Sequence, residues 1–339
     1  MGTFADEVRA KLPLSVSDYM GLCNRHYYGT RDPLGAKDFI TSPEISQIFG
    51  EIIGAFIAHI WQANGGQSFN LIEAGPGRGT LMADILRTGQ KVDGFTEAAD
   101  VHLIECSETL KAAQKTALAD TGRPPRWAED ISEIGLKNKN NILILNEFMD
   151  VLPASQYEFG VDGQWRERMV VAKEGQLAFA PGETVSLIFP YACTPNVTAE
   201  IAPVRVDFMK RASIGIAKGG GMAIIIDYGT GKWGPGDSLQ AMKGHKFVNP
   251  LAEPGEADIT THVDFAALES AAYGAGLYVH PLMTQGAFLD HLGGQIRAQK
   301  LGKEADYARL ANLDQMGGLF KVLVVAHPDW APSLKEVLP

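Results

Sequence analysis

The sequence predicts an α/β protein with a doubly wound, mainly parallel sheet, and three observations carry that reading. First, four short apolar runs stand out: Phe69 to Glu73, Val101 to Glu105, Ile142 to Asn146 and Met222 to Asp227. Three of them show little alternation, as in strands buried on both faces. Second, helix-like segments separate the first three runs at βαβ spacing. Third, each run stops at a polar residue: Glu73, Glu105, Asn146 followed by Glu147, and Asp227. Open α/β sheets bind ligands outside the carboxyl ends of their strands. Four such ends in register make a rim of acceptors along one edge.

The elements follow in chain order. Before the first strand, Ser42-Pro43 offers a capping hydroxyl and a proline at a first helical position, while Thr41 with Glu44 offers a capping box. Both alternatives stand. Apolar residues then recur at helical spacing from Ile45 through Phe49, Ile53, Phe56 and Ile60 to Trp61, a core-facing stripe that ends near Asn64-Gly65-Gly66. A short third strand precedes Asp130. Residues Gln156 to Ala180 alternate, with turns at Asp162-Gly163 and Glu174-Gly175, and read as β-hairpins. A helix is expected from Thr198 to Lys218. The Gly/Pro-rich stretch from Gly229 to His262 is expected to be a long binding loop or lid. A last strand is expected between Gly318 and Ala326. The domain reading is an N-terminal helical cap over 1–66, a core over 67–154 and 219–330, and a β-rich and helical insertion over 155–218 for substrate or partner.

Composition narrows the function. The 339 residues carry 40 acidic against 30 basic side chains, a net charge of −10. That disfavours non-specific nucleic-acid binding, which needs clustered Lys and Arg. Cys23, Cys106 and Cys193 form no C-x-x-C pair, and the 8 histidines show no metal-ligand spacing, so no metal is expected. The longest purely apolar run, Met222 to Ile226, is far short of the roughly 20 residues that span a bilayer. The N-terminus lacks the apolar stretch of a secretory signal. The expectation is a protein of a reducing compartment with no membrane insertion.

The clearest motif is Glu73-Ala74-Gly75-Pro76-Gly77-Arg78-Gly79-Thr80, directly after a strand and opening a helix. Its glycines permit positive φ and close approach of a ligand to the backbone. The spacing is G-x-G-x-G, not the dinucleotide G-x-G-x-x-G. Glu105, ending the next strand, can accept from two ribose hydroxyls. Glu73 would repel a pyrophosphate but suits the ammonium and sulfonium charges of S-adenosylmethionine. Asp130, with Ile131 behind it, can accept from an adenine amino group or can cap a helix. Asn146, Glu147 and Asp150 cluster after the fourth strand, beside that cofactor edge. Glu147 and Asp150 can hold a guanidinium bidentately and localise electron density on one nitrogen. His245 and His262 can act as bases or lid contacts, or as structural hydrogen bonders.

At this point the chain resembles the MidA family of class I methyltransferases, which has bacterial and mitochondrial members. The matching stretches are Tyr27-Tyr28, Asp38 to Glu51 with its Ser42-Pro43-Glu44-Ile45-Ser46 segment, and Gly75 to Leu81. Further matches are Asn146-Glu147-Phe148 with Asp150, Asp227-Tyr228-Gly229, Pro254 to Phe265, and Met316-Gly317 with Phe320 to Leu323. Two positions depart from the family: Lys37 where it usually has Gly, and Thr230 where it commonly has His. The resemblance implies a Rossmann-like, seven-stranded methyltransferase sheet and S-adenosyl-L-methionine as methyl donor. With that donor, Glu73, Gly75, Pro76, Gly77, Gly79, Glu105, Asp130, Ile131 and Asn146 are expected to be cofactor residues, and Glu147, Asp150 and Asp227 to be catalytic. Thr41, Ser42, Pro43, Glu44, Tyr228, His245 and His262 fall to the acceptor or its lid. The resemblance further implies protein arginine as acceptor in the mitochondrial members, where the target is a subunit of respiratory complex I. The location follows the host: cytoplasm in a bacterium, mitochondrial matrix in a eukaryote. The rival readings are a non-catalytic assembly factor on the same fold, a small-molecule methyltransferase and a nucleotide-dependent oxidoreductase.

Overall fold

The structure is a computed structural model that describes residues 2–30, 40–189, 193–232 and 234–339. The departing position Lys37 and the matched positions Asp38 and Phe39 lie outside the described residues. Contacts divide the chain into a sheet unit (Ile40–Met149, Phe208–Gly229 and Ala267–Pro339) and a hairpin unit (Met1–Phe39, Asp150–Asp207 and Thr230–Ala266).

Seven strands make the continuous path of a nine-stranded sheet: β1 (Phe69–Ala74), β2 (Ala99–Ile104), β3 (Arg126–Ala128), β4 (Asn140–Asn146), β5 (Gly221–Thr230), β6 (Tyr278–Val279) and β7 (Phe320–Ala326), with Met283–Thr284 pairing on β7 off this path. They lie in the order β6-β7-β5-β4-β1-β2-β3. The five from β5 to β3 are parallel, and β7 runs antiparallel to β5 and β6. This is a mixed α/β, Rossmann-like sheet. All of β1 is buried, which explains its unbroken apolar character. Register aligns the strand ends: Glu73 faces Ile144 on β4, and Asn146 faces Ile226 on β5. The chain leaves β1 in one direction to β2 and β3 and later returns to β4 on its other side. The β1–β4 boundary is therefore the topological switch point, where open α/β sheets bind ligands.

The helix expected from residue 42 is two helices, α1 (Ser42–Ile45) and α2 (Gln47–Ala63). The break is Ser46, extended at φ −158° and ψ 136°, whose hydroxyl accepts from Ile48 N at 3.5 Å and so caps α2. Thr41 holds the N-cap place of α1 but makes no side-chain cap bond, so neither capping alternative describes this turn. Helix α2 is no separate cap: Ile48, Ile52, Ile53, Phe56, Ile57 and Ile60 share one core with Leu71, Val101 and Ile144 of the sheet. The last strand begins at Phe320, because Met316–Leu319 form a helical turn.

The hairpin unit confirms the alternating pattern and corrects its surroundings. Ser155–Phe159, Trp165–Lys173 and Gln176–Val185 pair antiparallel. Glu174 and Gly175 have φ of 51° and 80°, the two positive values a tight hairpin turn needs. The helix expected from Thr198 starts at Pro203, since Thr198–Ile201 is a strand on Ser155–Phe159 that buries Ala199. The expected Gly229–His262 loop contains a sheet of its own: Gln240–Lys243 pairs with Lys246–Val248 and Asp258–Thr260, burying Ala241 and Ile259. The insertion 155–218 does not stand alone either. Its Val170 shares a core with Val8, Tyr19, Met20 and Cys23 and with Leu251 and Ile259. Arg205, buried, ties the unit together by donating to the carbonyls of Asp150, Leu152 and His262 and to the hydroxyl of Thr261. Among the described residues, no helix is long and apolar enough to cross a membrane.

Candidate active site

The loop after β1 is built by its glycines. Gly75, Gly77 and Gly79 have φ of 65°, 53° and 86°. A Cβ on Gly75 would meet the Phe148 ring at 2.8 Å, and one on Gly79 would meet the Gln114 backbone at 3.2 Å. The loop closes with Gly79 N donating to Pro76 O at 2.8 Å and leads into α3 (Thr80–Gly89). Glu73 lies below it, 3% exposed. One of its oxygens accepts from the Met82 amide; the other, Oε2, is buried without a hydrogen-bond partner. Burial pushes its carboxyl up to about 8.

Glu105, past the end of β2, is held from two sides. Oε1 accepts from Ser107 N at 2.7 Å and Oε2 from Gln114 Nε2 at 3.1 Å. Burial is the largest influence on its carboxyl and raises it. Gln114 sits on α4 (Glu108–Ala117), is fully buried, and was missed in the sequence. Its Nε2 also donates to Gly77 O at 2.7 Å, and its Oε1 accepts from Trp127 Nε1 at 2.7 Å. One amide thus joins the glycine loop, Glu105 and β3. The signal was present: Gln114 lies four residues after buried Leu110, a polar side chain on the apolar face of a helix.

At Asp130 the structure shows the capping alternative. Its Oδ1 accepts from Ser132 N at 2.9 Å and pairs with Arg211, and Glu133 completes a capping box. The Arg211 bond holds its carboxyl well below the usual range. Ile131 beside it is buried.

Across the switch point, β4 delivers Asn146 and Glu147. Glu147 has φ 51°, rare for a non-glycine residue and a strained position. Its amide donates to Ile226 O on β5 at 2.9 Å. Its Oε1 accepts from Ser42 N at 2.9 Å and from Asn146 Nδ2 at 3.4 Å. The Ser42-Pro43-Glu44 turn is therefore part of the site. Glu44 Oε1 accepts from Thr80 Oγ1 at 2.6 Å, with Arg78 at 3.9 Å, which ties that turn to the glycine loop. Ser42 Oγ and Asn146 Oδ1 are buried and find no hydrogen-bond partner. Together with Glu73 Oε2 they leave three unsatisfied polar atoms around β1 and β4, where an apolar filling would cost free energy and a polar ligand would not.

Asp227 differs from its sequence reading. It is fully buried, with Oδ2 accepting from Met149 N at 3.0 Å and Oδ1 from Tyr228 N at 2.9 Å. Both oxygens hold backbone amides, so it positions the turn that follows β4. Tyr228 stands edge-on to Phe320, ring centroids 5.4 Å apart. Asp150, His245 and His262 belong to the hairpin unit. Asp150 is buried, and its carbonyl takes Thr261 N at 3.2 Å. His245 is exposed at the tip of the Gln240–Val248 hairpin with φ 60°, a turn position. His262 is exposed, and its amide donates to Ser238 Oγ at 2.8 Å. Among the described residues, no cluster of His, Cys, Asp and Glu could hold a metal ion.

Residues 52–283 match a family model of S-adenosyl-L-methionine-dependent methyltransferases. The chain is 32% identical to the protein arginine methyltransferase NDUFAF7, mitochondrial, of Xenopus laevis, over 98% of this chain and 86% of that protein. Its identity to the Homo sapiens protein of the same name is 33%, over 87% and 73%. Among solved structures, a Burkholderia thailandensis protein crystallised with S-adenosyl-homocysteine superimposes with a TM-score of 0.81 at 22% identity, covering 96% of this chain and 92% of that one. The glycine cradle, the Glu105 carboxylate past the end of β2 and the unsatisfied Glu73 oxygen fit such a cofactor. The chain belongs to this family of S-adenosyl-L-methionine-dependent methyltransferases.

Proposed function

We propose that the protein methylates the guanidinium group of arginine side chains in a protein substrate. The observation that carries the reading is Glu147, fixed in a strained left-handed conformation at the end of β4 with one oxygen held by the Ser42 amide. Strain of this kind persists where the surroundings over-determine it and clusters at functional sites. The curated relatives named as protein arginine methyltransferases support the choice of acceptor.

Glu105 would hold the ribose, Ile131 beside the Asp130 cap the adenine end, and the Gly75–Gly79 loop with Glu73 the charged methionine end. Pro76 sets the loop's first turn. When bound, S-adenosylmethionine supplies a methyl group made electrophilic by its sulfonium. Glu147 holds the guanidinium and localises a lone pair on the nitrogen to be methylated. The nitrogen would form its N–CH3 bond as the S–CH3 bond broke, with the electron pair left on a neutral thioether. The nitrogen releases one proton to the Glu147 carboxylate, so guanidinium plus sulfonium give methylguanidinium, thioether and one proton.

The finer identity of the partner follows the resemblance: a respiratory complex I subunit, in a bacterial cytoplasm or a mitochondrial matrix according to the host. The test uses lysate of a strain lacking the gene, the purified protein and S-adenosylmethionine with a deuterated methyl. Mass spectrometry should find the label on arginine with the native protein and none with Glu147→Gln. Label on another residue, or equal labelling by both proteins, would overturn the reading.

A further inference from the structure

Asn146 was read from the sequence as a cofactor residue. The geometry points to a different role: we infer that Asn146 Oδ1 accepts a hydrogen bond from the acceptor nitrogen and so faces the methyl being transferred. This deepens the proposed function and rests on it.

Three observations carry it. First, Asn146 is 7% exposed, and its Oδ1 is buried with no hydrogen-bond partner, whereas most buried side-chain oxygens have one. Second, the orientation of its amide is decided by chemistry. Nδ2 lies 3.4 Å from Glu147 Oε1, and a carboxylate only accepts. Flipping the amide would set two acceptor oxygens against each other. Oδ1 is therefore the atom turned away from Glu147. Third, topology separates the two substrates. The ribose carboxylate Glu105 follows β2 and Asp130 follows β3, on one side of β1, while Asn146 ends β4 on the other. A cofactor laid from β3 toward β1 brings its sulfur end to the β1–β4 boundary. Its acceptor then comes from the β4 side, where Asn146 stands.

The pairing of a neutral carbonyl with a carboxylate also selects the acceptor. A nitrogen carrying two hydrogens can give one to Oδ1 and the other to Glu147, with its lone pair left for the methyl. A hydroxyl or thiol has one hydrogen and cannot satisfy both. The site thus favours a planar nitrogen acceptor over oxygen or sulfur.

The test needs no knowledge of the natural substrate. Sinefungin carries an amine where S-adenosylmethionine carries its methyl, and S-adenosylhomocysteine carries nothing there. Both are titrated calorimetrically into the native protein, Asn146→Ala and Asn146→Asp. The expected result for Asn146→Ala is a roughly tenfold or greater loss of sinefungin affinity, the worth of one hydrogen bond to a charged group, with S-adenosylhomocysteine within about threefold. Asn146→Asp should raise the preference for sinefungin, since a carboxylate then faces its ammonium. An unchanged preference in either variant would overturn the inference, and so would an equal loss of both ligands in Asn146→Ala, which would return Asn146 to the cofactor's methionine end. If Asn146→Ala does not fold, Asn146→Asp decides alone. Failure of the arginine reading is seen separately, as native protein that binds S-adenosylhomocysteine yet leaves arginine unlabelled.

Discussion

The two sides of β1 are built differently. Past the ends of β2 and β3, three polar side chains already have protein partners: Glu105 is held by Ser107 and Gln114, Gln114 by Gly77 and Trp127, and Asp130 by Ser132 and Arg211. At β1 and β4, Glu73 Oε2, Asn146 Oδ1 and Ser42 Oγ are buried without hydrogen-bond partners, and Glu147 is strained. Under the proposed function, the satisfied side would hold a ligand part that does not change, and the unsatisfied side would keep its polar atoms for groups whose charge changes during reaction, as preorganised catalytic sites do.

Substitutions on the two sides should therefore separate turnover from binding. The largest effect belongs to Glu147→Gln. Arginine methylation should fall by about 10²-fold or more, the usual contribution of a positioned acid–base group, with S-adenosylhomocysteine affinity within a few-fold. Initial rates with deuterated cofactor and calorimetry check it, and near-normal turnover would remove Glu147 from its role. Next comes Glu105→Ala, which should weaken cofactor binding about 10²-fold through loss of two charge-assisted hydrogen bonds. A change confined to turnover would break the comparison.

Gln114→Leu should have a smaller effect, about tenfold on cofactor affinity, because Glu105 keeps its Ser107 bond while losing one donor. Trp127 emission should shift in the same variant, as its indole loses its acceptor. Binding left unchanged would mean that Gln114 serves packing alone.

The smallest effect is a proton. The Glu73 carboxyl, pushed up to about 8 by burial, is mostly protonated at pH 7 in the free protein. A sulfonium nearby favours its ionised form, so binding should release up to about one proton. Calorimetry in buffers of different ionisation enthalpy measures this, and Glu73→Gln should abolish it. Stability has a definite sign as well. With the folded carboxyl raised from 4.5 to about 8, the folded state holds the proton more tightly than the unfolded one, so stability is lost as pH rises through that window. Glu73→Gln should flatten that slope, and an unchanged slope would assign it to other groups.

The sheet was legible because its strands are buried on both faces and their apolar runs have no alternative use. Glu73, Glu105, Asn146 and Glu147 were legible for the same reason, as polar residues where those runs stop. What escaped reading was long-range. Gln114 matters through partners 37, 13 and 9 residues away. Asp227 looked like its fellow strand-end carboxylates, but its two oxygens are taken by backbone amides, one of them 78 residues distant. The small sheet in the expected 229–262 loop was hidden by turn-forming glycines and prolines between very short strands. Only the pairing of Gln240–Lys243 with Asp258–Thr260 reveals it.

The most direct test of the central claim, that the reacting groups meet at the β1–β4 boundary, is a crystal structure of the S-adenosylhomocysteine complex. The account expects ribose hydroxyls on Glu105 and the sulfur at the β1–β4 boundary, on the side from which Asn146 Oδ1 and Glu147 approach. A ligand whose sulfur lies toward β2, or whose ribose leaves Glu105 uncontacted, would contradict it.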